Sequence, residues 1–381
     1  MTAVFVEAPA RLHFGVLDLR GDLGRRFGGI GAAVPAPSLL LEATAAPDLR
    51  AEGPDADRAL EFARRFLGHH ALAGGAHVRL HRVIPPHAGL GSGTQLGLAV
   101  ARALAELHSL PTDVTALARA VGRGRRSAIG TWTFALGGFV LEGGRRDDGD
   151  HLAPLLAHLP MPAAWRCVIA VPRGVRGLSG EEETAAFARL PPPERGEVER
   201  VAHLVLMQLL PALAEANLPS FGAALAEVQR VTGRWFAAVQ GGPFAPGESA
   251  ELVRRLHEWG AAGVGQSSWG PAVYGLAPDA GAARELAARV RSTLGPGGVV
   301  FEGGFSVAGA RITRGAPPPP APPEAEVVQP PFSTGLTAPG TSCITNPTGP
   351  HSEREPRWDY DRDLLAGASP PLPSPPLTPG M

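Results

Sequence analysis

A glycine-rich loop at residues 84–95 is the segment of this chain best suited to chemistry. It reads Ile84-Pro-Pro-His-Ala-Gly-Leu-Gly-Ser-Gly-Thr-Gln95 and runs directly into an apolar segment with helical spacing. Glycines let an anion approach the main chain closely, and the free N–H groups of a helix N-terminus favour phosphate. We therefore predict a phosphate site at Gly89, Leu90, Gly91, Ser92, Gly93 and Thr94, with Ser92 or Thr94 as the helix cap. The alternative is an ordinary connection before a core helix.

Arginine is the only strongly basic residue type that could bind such a phosphate. The 381 residues include no lysine, so all 35 basic residues are arginine. A Schiff-base lysine, and with it a pyridoxal phosphate cofactor, is therefore excluded. The planar guanidinium can hold phosphate oxygens with two hydrogen bonds. The candidate phosphate-binding groups are Arg11, Arg25 and Arg26, and then Arg123, Arg125, Arg126 and Ser127. For each group the alternative is a solvated surface patch.

Two successive α/β units must position these residues. In residues 1–150, the apolar patterns predict strands at 3–7, 34–44 (interrupted by Pro35 and Pro37), 76–83 and 132–142 (with a Gly-Gly break), and helices at 56–67, 94–108 and 113–122. In residues 151–315, they predict strands at 165–171, 272–276 and 298–302, and helices at 197–216, 220–239, 249–260 and 279–294. The two units are expected to form separate domains.

The composition limits the kind of protein. A length of 381 residues is enough for two domains, and a net charge of −1 gives no bulk attraction to nucleic acid or to an anionic membrane. Two cysteines, Cys167 and Cys343, are too few for a disulfide framework. No targeting signal and no membrane-spanning run is found in the sequence. We expect a cytoplasmic protein that acts on small molecules.

Residues 316–381 differ from the rest of the chain. Four consecutive prolines open this segment, which holds few aliphatic residues and no helical or alternating period. Such a segment buries too little apolar surface to offset the entropy of ordering, so we predict disorder. Docking of this proline-rich segment on a partner is the alternative.

Three motifs, in order, resemble those of the GHMP kinase superfamily. Pro85-x-x-x-Gly89-Leu90-Gly91-Ser92 resembles its phosphate-binding motif, residues 8–15 its N-terminal strand motif, and residues 263–270 its third, glycine-rich motif. The resemblance implies an α/β fold of two domains. The N-terminal domain would be ribosomal-protein-like, with the phosphate loop, and the C-terminal domain would be ferredoxin-like.

Two departures from that pattern argue against phosphoryl transfer. Thr131 stands where the kinases with a catalytic aspartate carry that residue, and a threonine hydroxyl is too weak a base to accept a substrate proton. Gly93 replaces the second serine of the kinase loop, which usually binds magnesium.

One non-kinase branch is matched along residues 3–315. The segments 11–31, 89–95, 122–127, 177–183 and 265–271 resemble the β-ribofuranosylaminobenzene 5′-phosphate synthase family. The resemblance implies condensation of 4-aminobenzoate or 4-hydroxybenzoate with phosphoribosyl pyrophosphate, with release of carbon dioxide and pyrophosphate. The product would lead to tetrahydromethanopterin-type one-carbon carriers. Magnesium on the pyrophosphate and a homodimer are further expectations.

Within that reaction, the remaining polar residues receive candidate roles. Asp18 and Asp22 are candidate magnesium ligands, with salt bridges as the alternative, and Ser268 and Trp269 are candidates for the aromatic substrate. The catalytic candidates are Arg11, His13, Glu181 (the first of three consecutive glutamates), Gln266 and Ser267. The alternatives are that His13 is a core histidine, that the glutamates only favour a helix N-terminus, and that Trp269 is a structural residue in a glycine-rich turn.

Two other functions stay open from the sequence. One is a GHMP small-molecule kinase that consumes ATP. The other is a GHMP-fold protein without catalysis that binds a phosphorylated metabolite. Carbon dioxide release from a carboxyl-labelled benzoate without ATP distinguishes the synthase from both.

Overall fold

The computed structural model describes residues 2–146, 151–174, 176–178, 180–319 and 325–327. These contain two β-sheets. The strands, in chain order, are β1 (Val4–Asp18), β2 (Arg25–Ala46), β3 (Arg50–Glu52), β4 (Gly75–Arg82), β5 (Phe139–Glu142), β6 (Arg145–Arg146), β7 (Leu155–Leu159), β8 (Arg166–Val171), β9 (Ala262–Gln266), β10 (Val273–Ala277), β11 (Val299–Gly303), β12 (Arg311–Arg314) and β13 (Ala325–Val327).

Helices cover these sheets. They are α1 (Ala56–His69), α2 (Ser92–Leu107), α3 (Val114–Ala120), α4 (Ile129–Leu136), α5 (Gly180–Arg189), α6 (Arg195–Leu204), α7 (Leu210–Ala214), α8 (Leu218–Gln240), α9 (Glu248–Glu258) and α10 (Ala280–Thr293), with a π-helical segment at Val205–Leu209. None of the helices in the described residues is long and apolar enough to cross a membrane.

The first sheet is built around two long antiparallel strands. Its order is β12-β1-β2-β4-β3, and β5 and β6 pair with a different part of β2 from β4. The helix α2 packs against β1 and β2 and is buried along most of its length. The glycine-rich loop before α2 is therefore held at the edge of a packed core.

The second sheet has the order β13-β11-β8-β10-β9, and all its pairs are antiparallel. The helix α8 packs against β9 of this sheet and against β1 of the first. One hydrophobic cluster includes Phe14 from the first sheet, Tyr274 from the second and Phe221 from α8. Because these side chains share one core, α8 holds the two sheets together.

The α/β fold class predicted from the sequence is confirmed, and several element boundaries are corrected. The segment 132–142, predicted as a strand with a Gly-Gly break, is the end of α4 followed by β5, because Gly137 and Gly138 end the helix with positive φ angles. Pro35 and Pro37, expected to interrupt a short strand, lie inside β2.

The predicted domain boundaries can be compared with the sheets. Residues 1–330 form one compact unit, and the boundary predicted at residue 150 falls between β6 and β7, although β7 pairs with β5 in the first sheet. The strand β12, from the predicted second domain, also joins the first sheet by pairing with β1.

The predicted disordered tail at 316–381 lies mostly outside the described residues. The described part includes β13, which pairs with β11. The described residues beyond the predicted end of the second domain at residue 315 are therefore 316–319 and 325–327.

Candidate active site

The first turn of α2 provides main-chain N–H groups that face the glycine-rich loop. Gly91 is its N-cap, with a φ of 83°, and no side chain caps the helix, so the predicted capping by Ser92 or Thr94 is wrong. The N–H groups of Thr94 and Gln95 both donate to the Gly91 carbonyl, at 3.0 Å. Since the first N–H groups of a helix have no partner within it, those of Ser92 and Gly93 can bind an anion.

Arg11 belongs to β1 and packs against the glycine-rich loop. Its main-chain N–H donates to the Leu90 carbonyl at 3.1 Å, and its guanidinium donates to the Gly89 carbonyl. A Cβ on Gly91 would lie 2.9 Å from Arg11 Cγ. The glycine is therefore needed for this close packing, and Arg11 is held beside the N-terminus of α2.

Two further arginines reach Gly93. A Cβ there would overlap Nη2 of Arg123 and would lie 2.7 Å from Nη2 of Arg58. Arg123 comes from the 122–127 loop and also lies over the ring of Phe62, 5.4 Å from its centroid. Arg58 belongs to α1 and was not predicted, because one arginine in an amphipathic helix carries no sequence signal. The tertiary structure thus brings three arginines to the first turn of α2.

The carboxylates nearby neutralise only part of this charge. Arg58 pairs with Asp55 at 2.8 Å, and Arg126 pairs with Glu183. Among the described residues, neither Arg11 nor Arg123 has a carboxylate oxygen within 4 Å. Burial is the main reason that the pKa of each is lowered to about 10, so both remain charged at neutral pH. Two partly buried cations without ion pairs are suited to a multiply charged anion. We call Arg11, Arg58, Arg123 and Arg126 the arginine cluster.

Glu183, and not Glu181, is the glutamate that faces the arginine cluster. Burial raises the pKa of Glu183, while the charges of Arg126, Arg11 and Arg123 oppose that rise. Glu181 is exposed, and Glu182 pairs with Arg176 at 3.3 Å. The first turn of α5 spreads these three side chains around the helix, so that only one can face inward.

A pocket lined by aromatic rings, which we call the ring pocket, opens beside the arginine cluster. Its empty space is about 490 Å³, part of it open to solvent. Trp269 contacts Phe187 and Phe236 edge to face, with centroid distances of 5.4 and 4.7 Å. The pocket is lined by His13, Gly15, Val16, Phe187, Gln229, Thr232, Gly233, Phe236, Gln240, Pro243, Phe244, Gln266, Ser268 and Trp269. Because Phe187 lies one turn after Glu183 on α5, this ring pocket and the arginine cluster share a wall.

Ser267 and Gln266 hold the walls of the site in place. The Ser267 hydroxyl accepts from the main-chain N–H of His13 at 3.0 Å and donates to the Gly89 carbonyl at 2.7 Å. The Gln266 amide accepts from Ala245 N–H and donates to the Ser268 carbonyl. Both side chains, predicted as catalytic, are hydrogen-bonded to protein groups and thereby position the loops around the pocket.

Several predicted phosphate-binding residues serve the scaffold. The Arg25 guanidinium donates to the Gly144 carbonyl at 3.0 Å, and that of Arg26 donates to the Leu19 carbonyl at 3.1 Å. Arg125 is exposed, and its carbonyl accepts from Arg145. The structure does not bring these three guanidinium groups into the arginine cluster.

Ser127, predicted to bind phosphate, hydrogen-bonds to Glu142, a carboxylate that the sequence did not single out. Glu142 is fully buried and accepts from Gly144 N–H at 2.8 Å, from Ala128 N–H at 3.3 Å and from Ser127. Burial raises the pKa of Glu142 to about 7. This carboxylate therefore anchors the C-terminal end of the loop that carries Arg123 and Arg126.

The two predicted metal ligands have other partners. Asp18 accepts from the main-chain N–H groups of Arg20 and Gly21, and Asp22 pairs with Arg20 at 2.9 Å and with Arg195 at 3.2 Å. Within the described ranges, no group of three or more histidine, cysteine or acidic side chains could hold a metal. The salt-bridge alternative fits Asp22, and a turn explains Asp18.

Comparison with known proteins agrees with this architecture. The models of the GHMP kinases N-terminal and C-terminal domains match residues 56–138 and 209–295. A solved homoserine kinase from Cytophaga hutchinsonii superposes with a TM-score of 0.56 at 18% identity, covering 82% of this chain and 97% of that one. At this identity the likeness shows the fold alone.

Two archaeal relatives are more similar in sequence, and both are named beta-ribofuranosylphenol 5′-phosphate synthase. The one from Methanothermobacter thermautotrophicus is 33% identical over 322 residues, which cover 79% of this chain and 96% of that protein. The one from Archaeoglobus fulgidus is 33% identical over 283 residues, which cover 71% and 87%. By this similarity along nearly the whole of both relatives, the chain belongs to the beta-ribofuranosylphenol 5′-phosphate synthase family.

Proposed function

We propose that this protein condenses phosphoribosyl pyrophosphate with a para-substituted benzoate and releases carbon dioxide and pyrophosphate. The product would be a ribosylated benzene 5′-phosphate, used for tetrahydromethanopterin-type cofactors. The observation that carries the proposal is the pair of partly buried arginines without ion pairs, Arg11 and Arg123, beside a pocket lined by aromatic rings. The two arginines suit a polyanion, and the aromatic pocket suits a benzene ring.

The arginine cluster is the proposed site for an anionic end of phosphoribosyl pyrophosphate. Arg11 and Arg123 supply charge, and the N–H groups of Ser92 and Gly93 supply hydrogen bonds at the positive end of α2. As the bond from ribose C1 to the pyrophosphate breaks, negative charge grows on the leaving oxygen. Groups already fixed around that oxygen stabilise this charge without reorganising.

The ring pocket is the proposed site for the benzoate. Phe187, Phe236 and Trp269 offer faces and edges to a planar ring. A para hydroxyl or amino group makes the ring carbon that bears the carboxylate nucleophilic, and this carbon attacks ribose C1. The reaction depends on holding the two substrates together more than on acid–base groups. Because the relatives' name specifies a phenol, we favour 4-hydroxybenzoate over 4-aminobenzoate.

Magnesium remains a proposal, with a different protein ligand from those predicted. Asp18 and Asp22 do not fit, since both bond to groups outside the arginine cluster. Glu183 faces the cluster and fits an ion held mainly by pyrophosphate oxygens, as magnesium commonly binds with one carboxylate and substrate phosphates. Such an ion would neutralise the leaving pyrophosphate. A homodimer and a cytoplasmic location also remain proposals.

The kinase alternative lacks a base at the expected position. Thr131 is fully buried, and its hydroxyl has no hydrogen-bond partner among the described residues. A neutral alcohol there cannot activate a substrate hydroxyl. The binding-protein alternative predicts ligand binding without turnover.

The deciding experiment measures labelled carbon dioxide from carboxyl-labelled 4-hydroxybenzoate with phosphoribosyl pyrophosphate, magnesium and no ATP. We expect release that depends on phosphoribosyl pyrophosphate and is unchanged by added ATP. The matched control is a reaction with ribose 5-phosphate, which lacks the leaving group. Binding of both substrates without any carbon dioxide would instead favour the binding protein, and ADP formation would favour the kinase.

A further inference from the structure

His13 is a buried polar side chain on the wall of the ring pocket. Its exposed fraction is 8%, and its main-chain N–H is bonded to Ser267. In the part of the chain that the structure describes, no protein group hydrogen-bonds either nitrogen of its ring. Both ring nitrogens keep some accessible surface, so a ligand in the pocket that His13 lines can pair with the imidazole.

The other polar side chains of the ring pocket are largely engaged. The amides of Gln229, Gln240 and Gln266 bond to one another and to nearby main chain. The Thr232 hydroxyl donates to the carbonyl one helical turn earlier. Among the described residues that line this pocket, the His13 imidazole and the Ser268 hydroxyl are therefore the polar side-chain groups left for a ligand.

The position of His13 along β1 shows which end of a ligand it would meet. Arg11 and Gly15 flank His13 on this strand, whose pairing with β2 is irregular between His13 and Gly15. Arg11 belongs to the arginine cluster, whereas Gly15 lines the ring pocket. His13 lies between them in β1 and lines the pocket. In the proposed reaction, this is where the substituted ring carbon must meet the sugar.

We infer that His13 hydrogen-bonds the carboxylate of the aromatic substrate and orients it at the reacting carbon. This inference rests on the proposed function. The new bond joins the ring carbon to ribose C1 while pyrophosphate leaves with the electron pair of the broken C–O bond. The ring–carboxylate bond then breaks, its electron pair restores aromaticity, and carbon dioxide leaves without any proton transfer.

A neutral imidazole suits a carboxylate that must depart. Burial, reinforced by the charge of Arg11, lowers the pKa of His13 to about 3, so the ring is neutral near neutral pH. A cation at this point would bind the carboxylate more tightly before the reaction than during the loss of carbon dioxide, and such ground-state binding opposes catalysis. A neutral N–H donor orients the group with a weaker hold.

The test uses two probes, 4-hydroxybenzoate and unsubstituted benzoate, which share the carboxylate and differ at the para position. Their binding is measured by calorimetry with inorganic pyrophosphate present, which fills the anion site without turnover. His13→Leu should weaken both probes by the same factor, roughly 10- to 100-fold, the usual effect of losing a hydrogen bond to a charged group. His13→Gln keeps a neutral N–H donor and should recover most of the affinity.

Two outcomes overturn the inference. If His13→Leu weakens 4-hydroxybenzoate and spares benzoate, His13 contacts the para group. If it weakens neither, His13 does not touch the ligand. Thermal melting and pyrophosphate binding control for folding, and His13→Phe replaces His13→Leu should the latter not fold. Failure of the wild-type protein to release carbon dioxide tests the proposed function separately.

Discussion

At the scale of single residues, Arg123 is the strongest candidate for holding the anionic substrate. Its Nε is buried without a hydrogen-bond partner among the described residues, and Nη2 lies against Gly93 at the start of α2. Burial lowers its pKa, which means that keeping the guanidinium charged in this environment costs free energy. A bound phosphate group would offset that cost.

Arg123→Ala should therefore lower kcat/KM by roughly 10²- to 10³-fold, equivalent to about 3–4 kcal/mol for loss of one preorganised charge donor. Arg123→Lys should restore only part of this, since a point charge cannot replace the two-pronged guanidinium. Steady-state kinetics with phosphoribosyl pyrophosphate give the measurement. Arg125→Ala removes an exposed neighbour in the same loop and should behave like the wild type. Equal losses in both variants would mean that general surface charge, and not a built site, binds the substrate.

At the scale of elements, the site depends on how closely α2 and its loop approach their neighbours. Gly89 has a φ of 83°, and a Cβ on it would overlap the Ser267 carbonyl of the facing loop. Gly93 lies within α2, where a side chain is allowed by the backbone but would meet the arginine ends. The two glycines thus have different roles: one permits the loops to pack, and the other leaves room for guanidinium groups.

Gly93→Ala separates these roles. Alanine favours the helix, and the arginine ends can move, so the fold should persist. Displacement of Arg123 and Arg58 by about 1 Å should nevertheless weaken transition-state binding by roughly 10²-fold. Carbon dioxide release kinetics and thermal melting measure the two effects. Gly196→Ala, in α6 with no atom within 4 Å of the new Cβ, is the matched control and should keep full activity. Full activity in Gly93→Ala would place the substrate away from this turn.

At the scale of the whole molecule, stability should depend on pH through Glu142. This carboxylate joins the start of α4 to the turn after β5 and is fully buried. Its pKa is raised from 4.5 to about 7, so between these values the folded protein binds more protons than the unfolded chain. The free energy of unfolding therefore falls as pH rises through this window, and the stabilising contribution is complete below pH 4.5 and lost above pH 7.

Glu142→Gln should remove this pH dependence. The wild-type protein should lose roughly 3 kcal/mol more than the variant between the two pKa values. Urea unfolding across that pH range gives the comparison. The variant should also be less stable at low pH, because a single amide oxygen replaces a group that accepts three hydrogen bonds. Glu181→Gln, at an exposed carboxylate, should retain the wild-type dependence. The same slope in both variants would assign the pH effect to other groups.

Local sequence patterns predicted the α/β fold class, the loop at residues 84–95 with its helix, and the family that the motifs resemble. These features depend on neighbours along the chain: glycine spacing, helical period and local motifs. The strand predicted at 132–142 failed because a hydrophobic run does not distinguish a short buried helix from a strand.

The set of charged residues at the candidate site depends on contacts between segments that are far apart in the sequence. Arg25 and Arg26 bond main-chain carbonyls, whereas Arg58, from a separate helix, reaches Gly93. Glu183 faces the arginine cluster, while Glu181, two residues earlier, is exposed. The sequence cannot separate these cases, because the charge and burial of a side chain are set by residues far away along the chain. The pairing of β1 with its neighbours and the packing of α8 place His13 in the wall of the ring pocket, which is why we infer a role for it in binding the substrate.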